Sequence, residues 1–167
     1  LVGSEMCIRD SSNITQRPLN LSGSRAYDST RTASGSDLSF TNIVSGETLG
    51  LTGSGVLDSP AAGSRTIVNT NTLAISDGSG IATNYTLTNG TLTMTIVPRS
   101  TTVSGTKTYD GTTNVASSNL TSFSNLAGSD TLSLSGTGTI SSADVGTGKS
   151  VNTLSLIHIS EPTRLRL

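Results

Sequence analysis

The amino-acid sequence predicts an all-β protein made of tandem small modules, each a small β-sandwich or β-grasp-like unit with little or no helix. Three observations lead to this fold class. A motif around Tyr27 returns around Tyr109, 82 residues later. Apolar residues alternate with threonine in several short segments. No stretch keeps the 3.6-residue period of an amphipathic helix, and a repeat of this length is typical of a domain array.

The duplication runs through most of the chain. The segment Ser-Gly-Ser-Arg-Ala-Tyr-Asp-Ser-Thr at 22–30 returns as Ser-Gly-Thr-Lys-Thr-Tyr-Asp-Gly-Thr at 104–112. After one inserted residue the offset becomes 83, and 48–55 then aligns with 131–138. The resulting division is a tail of a preceding repeat at 12–17, a complete repeat at 18–98 and a truncated repeat at 99–153.

The two ends of the chain depart from this repeat. A DNA sequence can be written that encodes the first eleven residues and whose reverse complement encodes the segment that begins at Leu154. Both ends therefore resemble a translated sequencing adapter, and 1–11 and 154–167 are interpreted as adapter-derived scar. The only cysteine and histidine, Cys7 and His158, lie in these ends. The remaining residues offer no thiol or imidazole, so we predict no catalytic, cofactor-binding or metal-binding residues and no enzyme activity.

Composition favours a thin-cored β protein over a cytosolic enzyme. Ser, Thr and Gly make up about half of residues 12–153, and the chain has three Tyr, two Phe and no Trp. A module of roughly 80 residues with so few aromatic side chains buries a small core. The net charge of −1 provides no basic stripe for nucleic acid, and no apolar run reaches the ~18 residues of a membrane span. We therefore predict no nucleic-acid partner and no membrane span.

Disorder is the alternative for a chain so rich in Ser and Gly, but period-two patterning favours ordered strands. Apolar residues alternate with Thr on both sides of Asn89-Gly90, the strongest short hairpin signal. We predict a hairpin that pairs Thr88 with Thr91 and places Tyr85 opposite Met94 on a core-facing side. The same alternation predicts strands around 19–21, 49–51 and 132–134.

The residues around each motif tyrosine carry a family resemblance. The segments that carry it are Lys-Thr-Tyr-Asp-Gly-Thr-Thr at 107–113, Val-Gly-Thr-Gly-Lys at 145–149, Asn-Tyr-Thr-Leu at 84–87 and Ile-Val-Pro-Arg at 96–99. They look like the YDG repeat, and the resemblance covers essentially all of 12–153. It implies the mostly-β, Gly-rich modules of very large bacterial surface proteins of the filamentous haemagglutinin type. One departure is Ser29, which stands where the second copy has Gly111 and costs energy if the position needs a positive φ.

The motif residues are interpreted as structural: Tyr27, Asp28, Tyr109, Asp110, Gly111, Asn89 and Gly90. Asp followed by Gly suits a turn in which the carboxylate accepts backbone N–H groups, while the Tyr ring packs on the core. The alternative is a surface Ca²⁺ site that uses Asp28, Asp77 or Asp110. Asp77 lies in an Asp-Gly-Ser-Gly turn, which lacks the ligand density that calcium needs. Asn-x-Ser/Thr sequons for glycosylation occur at Asn13, Asn20, Asn84, Asn89 and Asn119.

Together these features predict a non-catalytic stalk or spacer segment of a large secreted or surface-attached bacterial adhesin. Its partners would be neighbouring repeats and, through the parent protein, a host or cell-surface ligand. Two alternatives stay open: a carbohydrate- or host-protein-binding module, which predicts an exposed aromatic platform, and spacer repeats of a secreted enzyme. Because the second repeat lacks a counterpart of 71–98, we expect it to be incompletely closed, with 154–159 as a substitute strand.

Overall fold

A computed structural model describes residues 12–153. These residues form an all-β structure whose only helices are three short 3-10 helices, as the sequence predicts. The strands of the first repeat are β1 Arg17–Pro18, β2 Leu21–Ala26, β3 Thr32–Ser34, β4 Leu38–Phe40, β5 Leu49–Thr52, β6 Ser54–Leu57, β7 Gly63–Asn69, β8 Ala74–Asp77, β9 Tyr85–Thr86 and β10 Thr93–Val97. Those of the second are β11 Thr102–Ser104, β12 Asn114–Ala116, β13 Ser122–Ser124, β14 Thr137–Ile140 and β15 Val151–Thr153. The 3-10 helices are η1 Gly35–Asp37, η2 Ala82–Asn84 and η3 Ser117–Asn119.

The first repeat is built around a six-stranded sheet in the order β3-β6-β7-β10-β2-β4. Two smaller pairs accompany it, β5 antiparallel to β8 and β1 parallel to β9. The most deeply buried large side chains are Leu19, Leu21, Leu57, Met94 and Ile96. Burial therefore alternates along β10 as the Thr-rich pattern predicts, with Met94 and Ile96 inside and Thr95 exposed.

Three strand pairs of the first repeat recur in the second, and two of them have the same register throughout. β11 pairs with β13 as β2 pairs with β4, so that Val103 opposite Phe123 matches Leu21 opposite Phe40. β12 pairs with β14 as β3 pairs with β6. β14 pairs with β15 as β6 pairs with β7, with Thr139 opposite Asn152 as Val56 is opposite Asn69, but the register shift after Val56 has no counterpart in the second repeat. The sequence offsets of 82 and 83 thus join structurally equivalent positions.

The described residues fall into two compact units. The first contains the residues up to Arg25 together with Arg31–Ser59 and Ser64–Thr95. The second contains Ala26–Thr30, Pro60–Gly63 and the residues from Ile96 onward. Strands β11 to β15 belong wholly to the second unit.

The predicted Asn89-Gly90 hairpin is wrong, although a turn does form there. Asn89 has a φ of 62°, and the Gly90 N–H donates to the carbonyl of Leu87 at 3.4 Å. β9 and β10 do not pair, however, because an earlier segment takes their hydrogen bonds. Leu19 donates to Thr86 O at 2.8 Å, and Leu21 donates to Thr91 O at 2.9 Å. Long-range pairing therefore overrides the local turn signal, and Tyr85 and Met94 are not cross-strand partners.

Of the three other predicted strands, the one around 49–51 forms as expected, and the one around 19–21 overlaps a strand only at Leu21. Leu21 opens β2, and residues 49–52 form β5. The segment 131–135 has only a single bridge residue, Ser133. The partner of β5 is β8, and the positions equivalent to β8 in the second repeat lie at 157–160, outside the described residues. The predicted substitute strand at 154–159 also lies outside them.

Candidate functional site

Each Tyr-Asp motif forms the same hydrogen-bonded turn. In the first repeat Asp28 Oδ1 accepts the Thr30 N–H at 2.9 Å and the Thr30 hydroxyl at 2.8 Å. In the second repeat Asp110 Oδ1 accepts the Thr112 N–H and hydroxyl, both at 2.9 Å. This is an Asx turn, in which a side-chain carboxylate replaces a backbone carbonyl as acceptor. The motif thus needs both its Asp and the Thr two residues later.

The residue between Asp and Thr has a left-handed backbone in both copies. Ser29 has a φ of 64° and Gly111 a φ of 75°. The difference between the copies therefore does not mark two types of turn, and Ser29 bears the steric cost of this conformation. A Cβ at Gly111 would meet nothing within 4 Å. The preference for glycine comes from the backbone alone.

Lys107 adds a cation to the turn of the second repeat. Its Nζ lies 2.6 Å from Asp110 Oδ1 and donates to the carbonyl of Thr112 at 2.8 Å. The hydrogen bond from Lys107, followed by the one from the Thr112 N–H, lowers the pKa of Asp110 to about 2. Asp110 is therefore an ionised carboxylate whose neighbouring positive charge comes from the protein itself. This arrangement supports a structural role for Asp110 rather than a calcium site.

The tyrosines differ in their surroundings. Tyr27 is half-buried and its N–H donates to Val97 O at 2.9 Å, whereas the Tyr109 side chain is 65% exposed. The expectation that the motif tyrosine packs on the core is therefore wrong for Tyr109. Tyr85 is buried, and its hydroxyl donates to the Glu47 carboxylate. The bond to Glu47, followed by burial, raises the pKa of Tyr85.

Two glycines of the duplicated Ser-Gly dipeptide allow a close backbone approach. A Cβ at Gly23 would lie 1.9 Å from the carbonyl oxygen of Asp37, and one at Gly105 would lie 1.7 Å from that of Asn119. Both oxygens belong to the last residue of a 3-10 helix, η1 or η3. The second residue of the duplicated motif is therefore glycine, because the chain at that point touches the backbone of the 3-10 helix. Sequence reasoning missed this role, although the recurrence of the dipeptide was a signal for it.

A repeated asparagine contact holds the start of each repeat. The Asn42 amide donates to the carbonyl of Pro18 at 2.9 Å, and the Asn125 amide donates to that of Ser100 at 2.8 Å. Arg99 also donates to Asn125 Oδ1, at 3.0 Å from Nε and 2.7 Å from Nη2. Sequence reasoning missed both asparagines, which recur at the 83-residue offset.

A cavity of about 630 Å³ opens beside the Tyr-Asp turn of the second repeat, and we call it the second-repeat cleft. Its lining includes residues 103–110 and 143–151. Its aliphatic lining consists of Val103, Val115, Leu120, Ile140, Ala143, Val145 and Val151. Tyr109 and Val145, both well exposed, lie at this cleft.

The described residues show no metal-ligand cluster and no membrane-spanning helix. Within 12–153 no three His, Cys, Asp or Glu side chains cluster so that they could hold a metal ion. The same part of the chain contains no helix with the length and hydrophobicity needed to span a membrane. The two motif turns and the second-repeat cleft are therefore the features on which a function can be argued.

Comparison with protein families gives two matches. The family described as the YDG domain matches residues 13–94 and again residues 92–163. The chain belongs to the YDG domain family. It carries two YDG domains in tandem, which confirms the duplication read from Tyr27 and Tyr109. No curated protein and no solved structure matches the chain. The Tyr-Asp-Gly signature of the second YDG domain is the Asx turn at Asp110, with glycine at the left-handed position.

Proposed function

We propose that the two YDG domains are a non-catalytic stalk or spacer segment of a large bacterial adhesin, secreted or attached to the cell surface. The observation that carries this proposal is the repetition of the same strand pairs in the same register. An array of equivalent domains grows by a constant length for each copy added. Such an array sets the distance between an anchor and a distal ligand-binding part of the parent protein.

The chemistry of the motif supports a structural role. The Asp110 carboxylate is engaged by Lys107 and Thr112, which are local residues of its own turn. Asp28 makes the equivalent contacts to Thr30. The two motif carboxylates therefore stabilise their own turns and are not free to bind a substrate. The exposed threonines present hydroxyl groups to solvent, which suits a spacer in the extracellular space.

Of the alternatives, a carbohydrate-binding module calls for an aromatic platform. All five aromatic residues of the chain are described, and among them Tyr109 alone is exposed. One isolated ring favours the spacer over the binding module. Spacer repeats of a secreted enzyme would have the same mechanical role in a different parent protein.

Force spectroscopy on the full chain, tethered at its two ends, tests the spacer role. We expect discrete unfolding events, and release of the first YDG domain should add up to about 28 nm of contour length, given about 3.5 Å per extended residue. A featureless extension would contradict a mechanical spacer. Binding to glycans or host matrix proteins that is lost in Tyr109→Ser and kept in Ser24→Ala would instead support the binding module.

A further inference from the structure

Two strands of the second YDG domain are shorter than their counterparts in the first. β2 has six residues and its counterpart β11 has three. β7 has seven residues and its counterpart β15 has three. The shortened ends correspond to 105–108 and 146–150, which have no strand structure.

In the first YDG domain one strand, β10, lies between these two strands. β10 is the neighbour of β7 on one side and of β2 on the other. The segment 91–97, which contains β10, accepts hydrogen bonds along both flanking strands. Thr91 O and Val97 O accept from Leu21 and from Tyr27, the residue after β2, at 2.9 Å, and Leu92 O accepts from Ile67 of β7 at 3.0 Å. β10 runs parallel to β2. It thus supplies the pairing that orders the ends of both flanking strands.

The second-repeat cleft lies where a strand equivalent to β10 would fit. Both shortened segments, 105–108 and 146–150, line it. Within residues 12–153 no strand of the second domain occupies the position of β10. The described strands of that domain form two separate sheets, β11-β13 and β12-β14-β15. In the first domain, β10 joins the corresponding strands into one six-stranded sheet.

We propose that the second-repeat cleft is an acceptor site for a β-strand of the β10 type, an alternating apolar and threonine strand with the sequence of residues 91–97. The inserted strand runs parallel to β11 and joins the two sheets. Its residues equivalent to Met94 and Ile96, which are buried in the first domain, fill the cleft against Val103 and Val151. Its last carbonyl accepts the N–H of Tyr109, as Val97 O accepts that of Tyr27. This is β-strand addition, in which backbone hydrogen bonds provide the affinity and the alternate side chains that enter the cleft provide the specificity.

The test uses the full chain and a synthetic peptide of residues 90–98. The control peptide carries Met94→Asp and Ile96→Asp, which keep the length and the backbone. We expect the first peptide to bind saturably and to slow amide hydrogen exchange at 105–109 and 146–150 by tenfold or more. The control peptide should bind at least about tenfold more weakly, because charged groups replace the apolar side chains that enter the cleft.

A chain variant addresses the backbone bond directly. Tyr109→Pro removes the N–H that the strand would bond, while Tyr109→Ala keeps it, and because Tyr109 is exposed both variants should fold. Peptide binding should weaken in Tyr109→Pro alone. Equal binding of both peptides, or of neither, overturns the proposal. So does slow exchange of 105–109 in the chain without peptide, since another segment would then fill the cleft. The proposal rests on the strand order and not on the spacer role, which force spectroscopy tests separately.

Discussion

Exchanging serine and glycine at the motif turn should change the stability of the two YDG domains in opposite directions. Ser29 and Gly111 both have a positive φ, 64° and 75°. A residue with a Cβ lowers the free energy of unfolding by roughly 1–2 kcal/mol when its backbone adopts this region. Glycine avoids that strain, but it lowers the free energy of unfolding by about 0.4–1 kcal/mol because its unfolded chain has more conformational freedom. Because the space around a Cβ at Gly111 is open, no clash adds to the balance. Gly111→Ser should therefore destabilise by about 1 kcal/mol, and Ser29→Gly should stabilise by a similar amount.

Urea denaturation followed by NMR signals from each domain measures both changes in the full chain. Ser22→Gly in β2 is the matched control, since it introduces glycine into an ordinary strand and should cost roughly 0.5–1 kcal/mol. Ser29→Gly and Ser22→Gly are thus the same substitution with opposite expected signs. Destabilisation by Ser29→Gly equal to that by Ser22→Gly would show that the left-handed backbone at Ser29 does not destabilise the first domain.

Three further outcomes follow from the contacts. Gly105→Ala should destabilise the second domain by about 2 kcal/mol or more, because its Cβ would overlap the carbonyl of Asn119; an unchanged urea midpoint would refute the close approach. Folding lowers the pKa of Asp110 from 3.8 to about 2, so its carboxylate should contribute fully to the free energy of unfolding above pH 3.8 and lose that contribution as the pH falls toward 2. Urea midpoints measured from pH 5 to 2 should show this loss, and the Asp110→Asn variant should lack this part of the pH dependence. Tyr85 should ionise above its ordinary value of 10.0 in an ultraviolet pH titration, and Glu47→Gln should bring that pKa down; the same curve for both proteins would contradict the hydrogen bond.

The sequence was sufficient to predict the fold class and the internal symmetry, because both depend on patterns along the chain. Alternation of apolar residues with threonine predicts which side of β10 is buried, and Met94 and Ile96 are buried as expected. The recurrence of the Tyr-Asp motif predicts two equivalent domains, and the matching registers confirm it.

The pairing partners could not be predicted from the same patterns. Asn89-Gly90 satisfies every local requirement of a hairpin, yet Leu19 and Leu21, about seventy residues earlier, bond to both of its arms. Such long-range competition leaves no trace in the local sequence. The bond from Tyr85 to Glu47 is likewise invisible, because a single glutamate in a polar segment carries no periodic signal.

The agreement in register has a consequence at the level of the gene. Phe40 and Phe123 occupy the same place in their sheets, and both are followed by a segment that reaches an asparagine two residues later. A crossover between the coding sequences that joins residue 40 to residue 124 would delete one repeat length and leave a hybrid domain in which β2 still pairs with β4 and β14 takes the place of β6 beside β3. Unequal recombination can thus shorten or lengthen such an array by whole repeat lengths while keeping the strand pairs that the two domains share.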